Sequence, residues 1–144
     1  MFFGGTLRNN NASNEAFKFN LVTKQLESVP SVPEIKLAHQ VIYLPATSIA
    51  PKGSVYLFGG KTNAGSRDST RSGYRFDVAS NQWHSLPNSP KDIFSHNLLP
   101  ILENRFIVLI TQPMKLIFDT LYEVWVKDVY DDPFYLYDSD DDIV

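Results

Sequence analysis

Few side chains in this sequence could do chemistry, and their spacing narrows the options quickly. The three histidines are His39, His84 and His96. His39 and His96 stand at matching places in two similar apolar runs, LAHQVIYL (37–44) and FSHNLLPIL (94–102). Matching places belong to neighbouring repeat units, so the pair reads as two packed strand residues rather than one metal centre. Ser95 and His96 are adjacent, and consecutive strand residues point to opposite faces, so they make no nucleophile–base pair. There is no cysteine, which removes disulfides, thiolate metal sites and thiol nucleophiles together. The acidic end, Asp138, Asp140, Asp141 and Asp142, lacks the glycine and closing glutamate of a calcium loop and reads as a solvated tail. No catalytic residue, metal or cofactor is expected.

What remains is polar and sits in two loops, each placed after a double glycine. Behind Gly59-Gly60 comes KTNAGSRDSTR, with Lys61, Asn63, Arg67, Asp68 and Arg71; behind Gly4-Gly5 comes TLRNNNASN, with Arg8 and Asn10. Any one of these is an ordinary turn residue. As a group they are the candidates for touching a partner, because loops carry contacts and arginine is favoured at contact surfaces.

The elements that would hold those loops are strands. Of 144 residues 43% are hydrophobic and 13% aromatic, with nine prolines and seven glycines; the apolar runs are short and separated by turn residues. The net charge of -3 comes without a cluster of Lys and Arg, so nucleic acid is not expected as a partner. The apolar run Phe106–Ile110 is too short to span a bilayer, and MFFGGTLRNN does not read as a signal peptide. A cytoplasmic setting is the expectation.

The chain repeats itself. The run Phe17–Pro30 lies on Tyr74–Pro87 without a gap, bringing Phe19 onto Phe76, Asn20 onto Asp77, Gln25 onto Gln82, Leu26 onto Trp83 and Pro30 onto Pro87. A looser third copy starts at Phe94, where Ile110-Thr111 replaces the glycine pair. Residues 113–132 have no counterpart by spacing, and periodicity leaves hairpin and helix open for them. Phe134–Asp138 alternates as the next strand should. A period near ~50 residues with four short strands per unit is that of a propeller blade.

The ordered set Gly59, Gly60, Tyr74, Asp77 and Trp83, echoed by Gly4 and Gly5, resembles the kelch repeat. The resemblance implies an all-β kelch-type propeller fragment of antiparallel four-stranded blades: a partial blade at 1–36, a complete one at 37–90, and a degenerate partial one at 91–144 holding the insertion 113–132. Closed propellers typically have four to eight blades, so an open arc is expected rather than a closed ring, with self-association through uncovered blade edges. It further implies a non-catalytic scaffold that binds protein partners through its loops. Two alternatives stand beside it: a fragment of a carbohydrate-acting, epimerase-like propeller enzyme, and a truncated reading frame without independent function. A kelch-like copper oxidase is excluded, since its cofactor needs a cysteine.

Overall fold

The computed structural model describes residues 2–6, 12–34, 39–61, 70–93, 97–111 and 114–126. Among the described residues there are strands and turns and no helix. The first sheet holds β1 (Phe2–Thr6), β2 (Ala12–Asn20) and β3 (Gln25–Val29) in the order β1-β2-β3. The second holds β4 (Gln40–Leu44), β5 (Ser54–Phe58), β6 (Gly73–Asp77) and β7 (Gln82–Leu86) in chain order. The third holds β8 (Asn97–Ile101), β9 (Phe106–Thr111), β10 (Met114–Asp119) and β11 (Val124–Val126), again in chain order. Among the described residues every pairing is antiparallel, and no sheet closes on itself. This is the all-β, open propeller fragment that the repeat implies.

The internal repeat is a repeat of register. Phe19 pairs with Leu26 and Asn20 with Gln25 across β2–β3; Phe76 pairs with Trp83 and Asp77 with Gln82 across β6–β7. A one-residue slip would turn every side chain over, so shared register means shared faces. The Asx residue closing each of these strands has a local job. Asn20 Oδ1 accepts from the backbone N–H of Val22 and Thr23 (2.9 and 3.1 Å), and Asp77 Oδ1 from Ala79 and Ser80 (3.0 and 3.2 Å). Each turn ends on a residue of positive φ, Lys24 (58°) and Asn81 (59°), where the side-chain cap helps hold an unfavourable backbone.

The third sheet corrects the sequence expectation. The described part of 113–132, residues 114–126, is not an insertion outside the repeat: it forms β10 and β11 and completes the sheet. Asp119 Oδ1 accepts from Leu121 and Tyr122 (2.9 and 3.2 Å), Glu123 has φ 54°, and Phe118 pairs with Trp125. Asp119 and Trp125 therefore hold the places of Asp77 and Trp83. The stretch 134–138, expected to provide this strand, lies outside the described residues. The physical cause is loop length. Thr111 pairs with Met114, so two residues connect β9 to β10, whereas fourteen separate Phe58 from Gly73, and a fixed period overshoots.

The facing sides of neighbouring sheets are buried on each other. Ala16, Val29, Val55 and Phe76 form a buried cluster between the first and second sheets, with Trp83 against it. Leu44, Tyr56, Phe58, Leu86, Ile93, Ile107, Leu109, Leu116 and Phe118 fill the space between the second and third, with Trp125 packed on them. A hydrogen bond crosses each seam at the same place: Trp83 Nε1 donates to the Pro30 carbonyl (2.8 Å) and Trp125 Nε1 to that of Pro87 (2.9 Å). Alternation along β5 sends Val55 to one seam and Tyr56 and Phe58 to the other, which is why this strand is buried throughout.

Candidate functional site

The residues on either side of the loop behind Gly59-Gly60 are held in place. Gly59 has φ 64°, and a Cβ there would lie 2.3 Å from the Ile93 carbonyl oxygen, so both its conformation and its surroundings require glycine. Its N–H donates to the Ser72 carbonyl (3.0 Å), Gly60 N–H to Ile93 (3.3 Å), and Thr70 N–H returns to the Gly60 carbonyl (2.8 Å). Ser89 N–H donates to the Arg71 carbonyl (2.8 Å). The two stems, 59–61 and 70–72, are thereby sewn to each other and to the connection between β7 and β8.

Of the residues expected to meet a partner, Lys61 and Arg71 lie on these stems. Lys61 is half-buried and Arg71 exposed. Arg71 Nε donates to Asp92 Oδ1 at 3.0 Å, both side chains being about half exposed, so the pair adds little stability. Asn63, Arg67 and Asp68, and likewise Arg8 and Asn10, lie outside the described residues. Of the repeat residues, Gly4 and Gly5 lie in β1, where the register shifts between Phe3 and Gly5. Tyr74, Asp77 and Trp83 occupy β6 and β7 as described.

Glu34, in the connection from β3 to β4, was not singled out by the sequence. Its Oε2 accepts from Ser72 Oγ (2.6 Å) and Tyr74 Oη (2.9 Å), clamping that connection to the loop base. Burial, then the hydrogen bond to Glu34 and its charge, push the Tyr74 hydroxyl up to about 12. Neither Glu34 nor Asp92 falls in a motif; each sits in an irregular connection, and only the fold brings it to the loop.

The opposite end of the sheets is also charged, and it is structural. Arg75 is 7% exposed; its Nε donates to Glu123 Oε1 (2.7 Å) and its Nη1 to Ser54 Oγ (3.2 Å), tying β6 to the last turn of the third sheet. Lys52 Nζ reaches the same Glu123 oxygen at 3.3 Å. Arg105 holds Asp119 with two bonds of 2.9 Å, and this pairing keeps the Asp119 carboxyl below its ordinary value. His39 and His84 are half-buried, and His96 lies outside the described residues. Among the described residues no group of three or more His, Cys, Asp or Glu could hold a metal ion. A cavity of about 150 Å³ beside Glu15, Ala16, Phe17, Ser28, Val29 and Ser31 contains one titratable side chain and no nucleophile–base pair.

One three-stranded and two four-stranded antiparallel sheets are thus stacked in chain order, with a glycine pair at the base of the long loop and a Trp clamp at each seam. Residues 43–90 match the Kelch motif. The kelch match covers the second sheet from Tyr43 and runs just past β7. The third sheet, which shares the register of the second but not its glycines, lies beyond the matched residues. A search of curated proteins found no match to the chain.

Proposed function

We propose that this chain is a protein-binding scaffold without catalysis of its own, which meets its partner with the loop between Gly60 and Thr70. Kelch-type segments commonly serve in protein interaction, and the match over 43–90 supports that class. The observation that carries the proposal is the base of the loop. Hydrogen bonds from Gly59, Gly60, Thr70 and Ser89, with the Glu34 clamp on Ser72 and Tyr74, fix both stems. A preorganised stem lowers the ordering cost of a contact. The loop sequence supplies Asn63, Arg67 and Asp68 between Lys61 and Arg71, and Arg8 and Asn10 belong to the corresponding connection of the first sheet.

The test is affinity capture with the full chain as bait, comparing wild type, the double variant Lys61→Glu/Arg71→Glu, and Lys52→Glu at the opposite end. Proteins that use the loop should be retained by wild type and Lys52→Glu. They should fall about fivefold with the double variant, the equivalent of losing about 1 kcal/mol of contact. Equal retention by all three baits would remove the loop from the binding surface.

A further inference from the structure

Within the chain, one sheet seats on the next by a fixed set of parts. The following sheet brings a Phe–Trp pair, Phe76 with Trp83 or Phe118 with Trp125, with ring centroids 4.9 and 5.0 Å apart. Both phenylalanines are 0% exposed against the preceding sheet. The first sheet has the same two register positions, paired across β2–β3, occupied by Phe19 and Leu26. There they are 45% and 58% exposed. The face that is covered twice within the molecule is thus open a third time.

The third sheet offers the reverse. Its register aligns Leu99, Val108, Ile117 and Val126 in one row across four strands, on the face turned away from the second sheet. Leu99 is 50% exposed, and Ile101 and Val124 on the same face are 37% and 46% exposed. The corresponding row of the second sheet contains Tyr56, which is fully buried under Phe118.

We propose that the open face of the first sheet is the seat for the third sheet of a second copy, so that two copies close head to tail. The three described sheets of each copy, taken twice, number six, inside the four to eight that closed propellers use. A head-to-tail contact ends in a closed ring when its rotation closes and in a filament when it does not. The occupant is specified by continuity with the two internal seams, in which faces of these same two kinds already meet. Leu26 stands where the other sheets carry Trp, so the seam between copies lacks the indole N–H clamp and is the weakest of the three kinds. This contact uses sheet faces rather than the loop end, so it stands or falls separately from partner binding by the loop.

The experiment is light-scattering mass measurement on the full chain over a concentration series at micromolar levels. Wild type should show twice the mass of one chain. Phe19→Asp/Leu26→Asp should halve it, and so should Leu99→Asp/Val124→Asp at the other end. Mixing the two variants should restore the two-chain species, because each brings the face that the other has lost; that recovery also shows that both are folded. Should a double variant lose its β circular-dichroism signal, Leu26→Lys alone is used and the same halving is expected. A single-chain wild type, growth beyond two chains with concentration, or a dimer untouched by either variant would overturn the proposal.

Discussion

Between the first and second sheets four described residues are buried together, Ala16, Val29, Val55 and Phe76, while between the second and third there are nine. Both seams carry a Phe–Trp pair on the following sheet and a Trp-to-proline hydrogen bond. What differs is the face beneath. In the first sheet it presents Lys18 and Glu27, paired with each other at 3.3 Å and exposed. In the second it presents Tyr56 and Phe58, whose rings meet Phe118 at 6.0 and 5.5 Å. The signature residues of the repeat set the geometry of a seam, and the residues opposite them set how much apolar surface it hides. Glu123 adds a polar tie across the second seam through Arg75.

This inequality can be tested directly, and the largest effects come from the rings. Phe118→Ala should cost about 5 kcal/mol and Phe76→Ala about 3 kcal/mol by urea denaturation, the two ends of the range for truncating a buried Phe. Equal costs would mean that the neighbours under the ring do not set the difference. Gly59→Val, which drives a side chain into Ile93 at the edge of the larger seam, should cost about 3 kcal/mol from positive φ and overpacking combined; an unchanged denaturation midpoint would contradict that close approach.

Asp119→Asn should lower the denaturation midpoint by less than the ring truncations, through loss of the charged bonds to Arg105, and its effect should depend on pH. Pairing with Arg105 lowers the folded-state value of Asp119, so the unfolded chain binds the proton first as pH falls. The stabilisation is complete above the ordinary carboxylate range and is lost as pH drops through the folded value. Midpoints measured across acid pH should therefore fall less steeply in Asp119→Asn than in wild type. The smallest effect has the opposite sign. The Tyr56 hydroxyl is buried in the larger seam without a hydrogen-bond partner among the described residues, and burial raises it from 10.0 to about 12, with Arg75 opposing and Glu123 assisting. Tyr56→Phe should stabilise by about 1 kcal/mol. A raised tyrosine gives stability that is complete below the unfolded value and lost as pH climbs toward the folded one, so the variant should also resist alkali better. Tyr74, also raised to about 12, would account for alkaline loss that remains.

The repeat was legible wherever spacing was kept. Phe17–Pro30 and Tyr74–Pro87 align without a gap, and their strands pair in the same register. Gly59 declared itself because only glycine suits a left-handed residue against a neighbouring carbonyl. The third copy was misplaced because its long loop has shrunk to two residues, and Asp119 and Trp125 moved forward in the chain without moving in the fold. The loop residues Lys61 and Arg71 could be named from sequence, but Glu34 and Asp92 could not. Nothing local marks an acid in an irregular connection as the partner of a hydroxyl or an arginine many residues away.

Alternation, turn chemistry and the echo of one unit in the next are written along the chain, since they depend on residues a few places apart; they determined strands, sheets and sheet order. Which faces meet, how deeply each seam is buried, and which polar groups are left to pair across it depend on residues far apart in sequence. Those were decided only when the sheets stacked, because burial belongs to a pair of surfaces and neither surface encodes it alone.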